Sequence, residues 1–409
     1  MKNNLLNSTA LTFCSFSLAF FAVVPTINMI LDRVLSMGEE AMLTPLYALS
    51  LLLIALSTVI CLNQIQKPSK GFWIVLGAVL MVFTLSRVYG VKSELTPVFF
   101  WLYTVISFVI PQIVLPDVKK MLRFMIILPS FGVLFLSKVF ELRDSGAIGM
   151  DLTYSFLVPI ISAIVYMFTY LKEDKGLTKY VMILTIGINM IYFVFCLLFG
   201  SRAPALSVVL CVVFMLCIKM NQYETGYKVK KVFILWALLA FFIAFYFEEI
   251  LISLSGLFKL MHWDSFSIDK MLMLYEMGDI SDGRSDINEK AWIGIWDSPI
   301  WGHGLSASER FTNHSYPHNF LLQLLLDGGV ILFLLILVPM VVKLLRAKKS
   351  ATYEENVMFI VMFFGSVPGA LFSLDIWANS RFWLFMGFIL STTFTSYYKK
   401  IFRIKYMPK

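Results

Sequence analysis

All four histidines of this chain fall between residues 262 and 318: His262, His303, His314 and His318. Imidazole ordinarily titrates near neutrality, so a histidine at a membrane–water boundary is a candidate proton acceptor. Three arginines stand in short polar motifs. Arg202 lies in Gly200-Ser201-Arg202-Ala203-Pro204, Arg284 in Asp282-Gly283-Arg284-Ser285, and Arg381 in Asn379-Ser380-Arg381-Phe382-Trp383. A guanidinium presents five donors in one plane and suits phosphate oxygens. Gathered together, these residues would make an anion-binding site with a general base.

Each residue also has a plainer reading. Arg202 follows Ser201, a natural N-cap, and precedes Pro204, which suits a first helical turn. It is either part of an anion site at a helix N-terminus or an arginine snorkelling to the interface. Arg284 is either a local phosphate ligand or a surface partner for a neighbouring acid. Residues 250–317 hold nine acids and five bases, so a phosphate site there depends on particular arginines and not on a general positive field. Pro317 is predicted to open a helix with His318 in its first turn, where the helix dipole disfavours a protonated imidazole. The plainer reading of His318 is a polar interface residue. Trp263, Trp292, Trp296 and Trp301 lie in the same region; they either stack on sugar rings or anchor the chain at the interface.

The elements that position these residues are predicted to be membrane helices. The chain has 409 residues, 59% hydrophobic and 15% charged, where a soluble domain would carry about a quarter charged. Segments near 11–31, 43–62, 71–89, 96–115, 121–140 and 152–171 are apolar enough to span, as are 179–198, 203–219, 231–249, 318–345, 356–374 and 380–398. The fold class is therefore an all-α polytopic membrane protein of about twelve helices, forming one integral membrane domain over 1–409. The fifth segment is the weakest, because it contains Pro129 and Ser130. With both termini cytoplasmic, 22 of the 34 Lys and Arg fall on the inner side, as the positive-inside rule requires. One long extracytoplasmic loop, 250–317, then joins helices nine and ten. Within it Ile287, Ala291 and Ile295 recur at helical spacing, Asp282 or Ser285 caps the predicted helix and Ser298-Pro299 ends it. The stretch 250–263 reads as an amphipathic helix at the membrane surface.

Several function classes are disfavoured. The net charge of +8 comes from clusters between apolar runs, which excludes nucleic acid as a partner. The five cysteines lie within or beside apolar runs and read as small buried hydrophobes. The first apolar run has no clear cleavage site and reads as a retained helix. A metal site on His303, His314 and His318 is disfavoured because Pro317 interrupts any helix carrying the last two. There is no Walker loop and no isolated carboxylate pair for glycosidase chemistry. A flippase or other transporter would show mid-helix charges and paired halves; Asp327, beside Gly328-Gly329, is the main residue of that kind.

The ordered motifs form a familiar set: Gly200-Ser201-Arg202, Gly283-Arg284, Trp292, Asp297-Ser-Pro-Ile-Trp-Gly-His-Gly304, Tyr316-Pro-His-Asn-Phe-Leu-Leu322 and Gly328-Gly329. Over about 195–385 the chain resembles the O-antigen polymerase and ligase superfamily of bacterial envelope proteins. The resemblance implies metal-independent, cofactor-free glycosyl transfer at the outer face of the cytoplasmic membrane. The implied donor is an oligosaccharide on undecaprenyl pyrophosphate. The implied acceptor is another lipid-linked repeat unit in a polymerase, or lipid A–core in a ligase, with a chain-length regulator as a further partner. The wording of residues 316–322 and 200–204 is closer to the polymerases. By motif match, Arg202 and Arg284 hold the pyrophosphate and His318 activates the acceptor hydroxyl. Arg381, Asn319, Tyr316, His314 and Trp292 are implied substrate-binding residues.

Overall fold

A computed structural model of the chain describes residues 2–36, 39–60, 68–88, 100–114, 116–141, 150–199, 202–221, 247–260, 266–278, 283–313, 316–347 and 353–391. Every regular element among the described residues is helical. In chain order these are α1 (Lys2–Leu35), α2 (Glu39–Ile60), α3 (Lys70–Val88), a π-turn segment Phe100–Ile106 leading into α4 (Ser107–Ile113), and α5 (Val118–Ile127). A 3-10 segment, Leu128–Phe135, continues α5 into α6 (Leu136–Val139); then come α7 (Met150–Thr169), α8 (Gly176–Phe199) and α9 (Arg202–Asn221). The second half holds α10 (Phe247–Leu260), α11 (Phe266–Glu276), α12 (Arg284–Asp297), α13 (Ala307–Thr312), α14 (Phe320–Ala347), α15 (Tyr353–Phe372) and α16 (Ser380–Leu390). Seven helical stretches among the described residues are long and apolar enough to cross a membrane, and four more apolar helices are shorter. The chain is thus a multi-pass, all-helical membrane protein. The predicted segment 231–249 lies almost wholly outside the described residues.

The chain forms two compact units. One comprises Met1–Val24, Glu40–Met125 and Arg284–Lys409; the other comprises Pro25–Glu39 and Ile126–Gly283. In the second unit, the proline in the α5–α6 stretch has a local repair. Pro129 has no N–H to donate, and the helix tightens to 3-10 geometry from Leu128. Asn189 on α8 donates from Nδ2 to Ile126 O at 3.2 Å, and the Tyr192 hydroxyl donates to Pro129 O at 3.1 Å. Ser130 Oγ also donates to Ile126 O, at 2.7 Å. Carbonyls disturbed by the proline thus find partners inside the bundle, as an apolar surround requires.

The first unit is held by close packing of α16 on α4. A side chain at Gly387 would overlap the Phe108 backbone, and Gln112 Nε2 donates to Gly387 O at 2.6 Å. Phe108 stacks on Phe72 of α3 and meets Trp383 edge-on. Trp383 in turn stacks on Trp377, with ring centroids 5.6 Å apart. This aromatic column fixes where the chain enters α16, and so where Arg381 sits.

Candidate functional site

The site region of the first unit is organised by a break in α14. Gly329 has φ 63° and ψ −167°, far from helical values, and only glycine adopts this conformation readily. The break deprives nearby backbone groups of helical partners, and the segment Pro299–Gly304 supplies substitutes. The N–H groups of His303 and Gly304 donate to the carbonyls of Leu326 and Asp327 at 2.9 and 2.8 Å. The N–H groups of Val330 and Ile331 donate to the carbonyls of Pro299 and Ile300 at 2.9 and 3.4 Å. The two backbones approach so closely that a Cβ at Gly329 would overlap Ile300, and one at Gly302 would overlap Asp327–Gly329. The glycines of the 297–304 motif and the Gly328-Gly329 pair therefore serve one contact.

Helix α12 buttresses this contact. It runs over Arg284–Asp297, as the spacing of Ile287, Ala291 and Ile295 predicted, and those three residues are buried together with Gly294. Ala291 and Ile295 form one apolar cluster with Ala307, Leu322 and Leu326. His303 lies against Phe311, and its Nε2 is 2.8 Å from Gly294 O. Because a carbonyl only accepts, that nitrogen carries the proton, and His303 acts as a structural bridge. Among the described residues, no three His, Cys, Asp or Glu side chains converge as metal ligands.

The head of α14 departs from expectation. The helix starts at Phe320, not at Pro317, because Asn319 takes the cap. Its Oδ1 accepts from Leu321 N at 2.9 Å and Leu322 N at 3.4 Å, which is N-cap chemistry that a histidine–proline start does not offer. His318 therefore precedes the helix, in a left-handed conformation with φ 54°. Its ring meets Tyr316 edge-on at 4.5 Å between centroids. The imidazole belongs to a turn ahead of the first helical N–H groups, and it is partly exposed.

The connection Ser373–Asn379 between α15 and α16 joins the pieces. Arg284 Nη1 donates to Phe372 O at 2.7 Å and Nη2 to Ser373 Oγ at 3.2 Å. The surface ion pair expected as its plainer role is thus replaced by a clamp on the C-terminus of α15. These two bonds engage two of the five guanidinium donors. Gln323 on α14 grips the middle of the connection: Nε2 donates to Asp375 Oδ1 at 2.6 Å and Oε1 accepts from Ile376 N at 3.0 Å. One turn further along α14, Asp327 is 1% exposed. Its carboxylate accepts from Trp377 Nε1 at 2.6 Å and from Ala307 N at 3.2 Å. Phe320 and Phe382 meet at 5.1 Å between ring centroids, joining the starts of α14 and α16. Asn379 caps α16 through Phe382 N. Arg381 follows in the first turn, buried and in electrostatic contact with Tyr47 of α2.

Arg284, the head of α14 and Arg381 are thus brought to one short connection. Burial pushes the Asp375 carboxyl there up to about 6; the hydrogen bonds from Gln323 and Trp377 oppose the rise, and the charge of Glu309 adds to it. Trp292 stands on the exposed face of α12. Arg202 begins α9 in the other unit, and its side chain lies outside the described residues, as does His314. Sequence reasoning missed Gln323, Asp375 and Trp377 and left Asp327 without a role. A polar pair one turn apart in an apolar helix, Gln323 and Asp327, is the signal that points to a shared partner.

Residues 187–337 match the family model described as O-antigen ligase. This match covers Arg284, His303, His318, Gln323, Asp327 and the Gly328-Gly329 break, and it supports the O-antigen polymerase and ligase superfamily, whose members are glycosyltransferase-like enzymes. No curated protein matches the chain.

Proposed function

We infer that this chain transfers a glycan from a polyprenyl-pyrophosphate carrier to an acceptor hydroxyl, at the outer face of a bacterial cytoplasmic membrane. One observation carries the inference: Arg284, the His318 turn at the head of α14, and the start of α16 with Arg381 all attach to or flank the 372–381 segment. In the proposed reaction the acceptor oxygen bonds to the anomeric carbon as the bond to the pyrophosphate oxygen breaks. The acceptor proton passes to the imidazole of His318. The carrier leaves as its pyrophosphate, whose new negative charge is met by Arg284. By motif match Arg202 is a further proposed pyrophosphate ligand. Tyr316, packed on the imidazole, and Asn319, capping α14, hold His318 in place; Arg381 and His314 complete the proposed substrate-binding set. An activated pyrophosphate donor needs no nucleotide, so no nucleotide site is required.

Joining lipid-linked repeat units, possible for any surface polysaccharide, fits the 316–322 wording. The description of the matched family favours a second acceptor, lipid A–core, in a ligase reaction. Deleting the gene and resolving the lipopolysaccharide by gel distinguishes them. Loss of long chains with one repeat still on the core supports the polymerase. Bare core with carrier-linked polymer accumulating supports the ligase. Unchanged chains overturn both.

A further inference from the structure

Helix α12 has two apolar faces, and the interior uses only one. Ile287, Ala291, Gly294 and Ile295 are buried. On the opposite side, Trp292, Ile293 and Trp296 are 45%, 63% and 75% exposed, and Ile300 and Trp301 just beyond the helix are 56% and 68% exposed. The outward face changes character along the helix. Its first half presents Ser285, Asp286 and Glu289, with Lys290 bonded to Asp286 at 2.7 Å. Its second half presents aromatic and aliphatic groups, with Asp297 as the charged residue at the end.

This face runs into the exposed apolar side of α14. Val330, Leu334, Val338, Val341 and Leu345 of α14 are exposed at intervals of three or four residues, which places them on one side of a membrane-crossing helix. Ile300 reaches the top of that stripe, since its carbonyl accepts from Ile331 N, and Pro299 O accepts from Val330 N. From Val330 to Ala347, about 18 residues at about 1.5 Å each give about 27 Å, close to the hydrocarbon thickness of a bilayer. Counted this way, the Gly329 break falls near the edge of the hydrocarbon, which would put the Pro299–Gly304 segment bonded to it at the headgroup level, where tryptophan is favoured.

We propose that the second half of α12 and the segment Ile300–Trp301 form a wedge seated in the lipid leaflet at the Phe320 end of α14, with Trp292, Trp296 and Trp301 at the headgroup–acyl boundary. The polar first half of α12 keeps Arg284 on the aqueous side of that boundary. The wedge does not depend on the reaction proposed above. It fixes the depth of Arg284 against the lipid surface, so that a lipid-borne anion arrives at the guanidinium's own level.

The test uses the full chain in nanodiscs of phosphatidylcholine brominated at a shallow or a deep acyl position. The wild-type tryptophan emission is quenched more by the shallow bromine. A chain with Trp292, Trp296 and Trp301 changed to Phe loses most of that shallow-selective quenching, and the tryptophans left in place, Trp73 and Trp101 among them, account for the lipid-quenched remainder. A second measurement needs no variant: a phosphatidylcholine carrying a diazirine near its headgroup forms adducts on the wild-type peptide spanning 292–301. The proposal is overturned if iodide in the buffer, and not bromolipid, quenches the three tryptophans and no adduct appears on 292–301. It is equally overturned if soluble glycan shifts their emission while bromolipid leaves it unchanged, which would make the face a sugar platform.

Discussion

The α5–α6 stretch, interrupted at Pro129, and α14, broken at Gly329, are both membrane-length helices, and they are repaired by different means. At Pro129 the partners are side chains, Asn189, Tyr192 and Ser130, and the chain continues in tightened helical form. At Gly329 the partners are main-chain groups of Pro299–Gly304, and the helix is fully broken. Side-chain repair is local and removable one bond at a time. Backbone repair admits almost no substitution, since the two chains touch where a Cβ has no room. It also ties a segment outside the membrane-length helices to one of them, and the candidate site lies at that junction. A proline kink answers a problem within the bundle, whereas the glycine break builds an interface.

The largest expected effect is at Gly329. Gly329→Ala combines a disfavoured backbone conformation with overlap on Ile300, for a loss of roughly 3–5 kcal/mol. The folded protein should be missing from size-exclusion profiles in mild detergent; a wild-type melting temperature would refute the backbone repair. Arg284→Ala and His318→Ala should each reduce transfer by about 100-fold or more, measured as polysaccharide chain formation, with membrane levels unchanged. Arg284→Ala also releases Phe372 O, so its melting temperature should be reported beside its activity. Wild-type chain length in either variant would remove that residue from the mechanism.

Asp375 gives a pH dependence of defined sign. Its carboxyl titrates near 6 in the fold against an ordinary 3.8, so the folded chain holds a proton there that the unfolded chain has released. The stability from that proton is fully present below about 3.8 and is lost as pH rises through 6. Asp375→Asn should flatten the melting temperature over that window; an unchanged slope would show that another group titrates. The smallest effect is at the proline kink. Asn189→Ala should cost about 1–2 kcal/mol by leaving buried carbonyls short of a donor, with transfer unaffected. A loss of activity out of proportion to stability would make the two breaks alike.

The all-helical, membrane-spanning character was legible because apolar runs must satisfy their own backbone in lipid; seven of the described helical stretches are long and apolar enough to cross. Helix α12 was legible because Ile287, Ala291 and Ile295 repeat on one face, with Ser298-Pro299 behind them. The break at Gly329 was visible as a glycine pair, yet its partner was not, because Val330 bonds to a residue some thirty positions earlier and no periodicity records that pairing. The same holds for Gln323 and Asp375. The start of α14 was misjudged because two rules competed there, and the Asn319 cap prevailed over the preference of proline for a first turn. The arginines stand out by residue type, but the grip of Arg284 on Phe372 depends on where α15 ends in space.

The broken helix also has a consequence for how the protein is made. With α14 broken at Gly329, Leu326 O, Asp327 O, Val330 N and Ile331 N lack protein partners until Pro299–Gly304 docks, and the edge of the hydrocarbon offers little water in exchange. The segment that completes them is translated before α14 and has already emerged when that helix reaches the insertion machinery. The two are then expected to enter the membrane as a pair, the earlier segment acting as a template for the later one. Replacing residues 299–304 with a flexible polar stretch of equal length should lower the inserted fraction of α14 in a translocation assay, although none of its own residues has changed; an unchanged inserted fraction would show that α14 enters the membrane unaided.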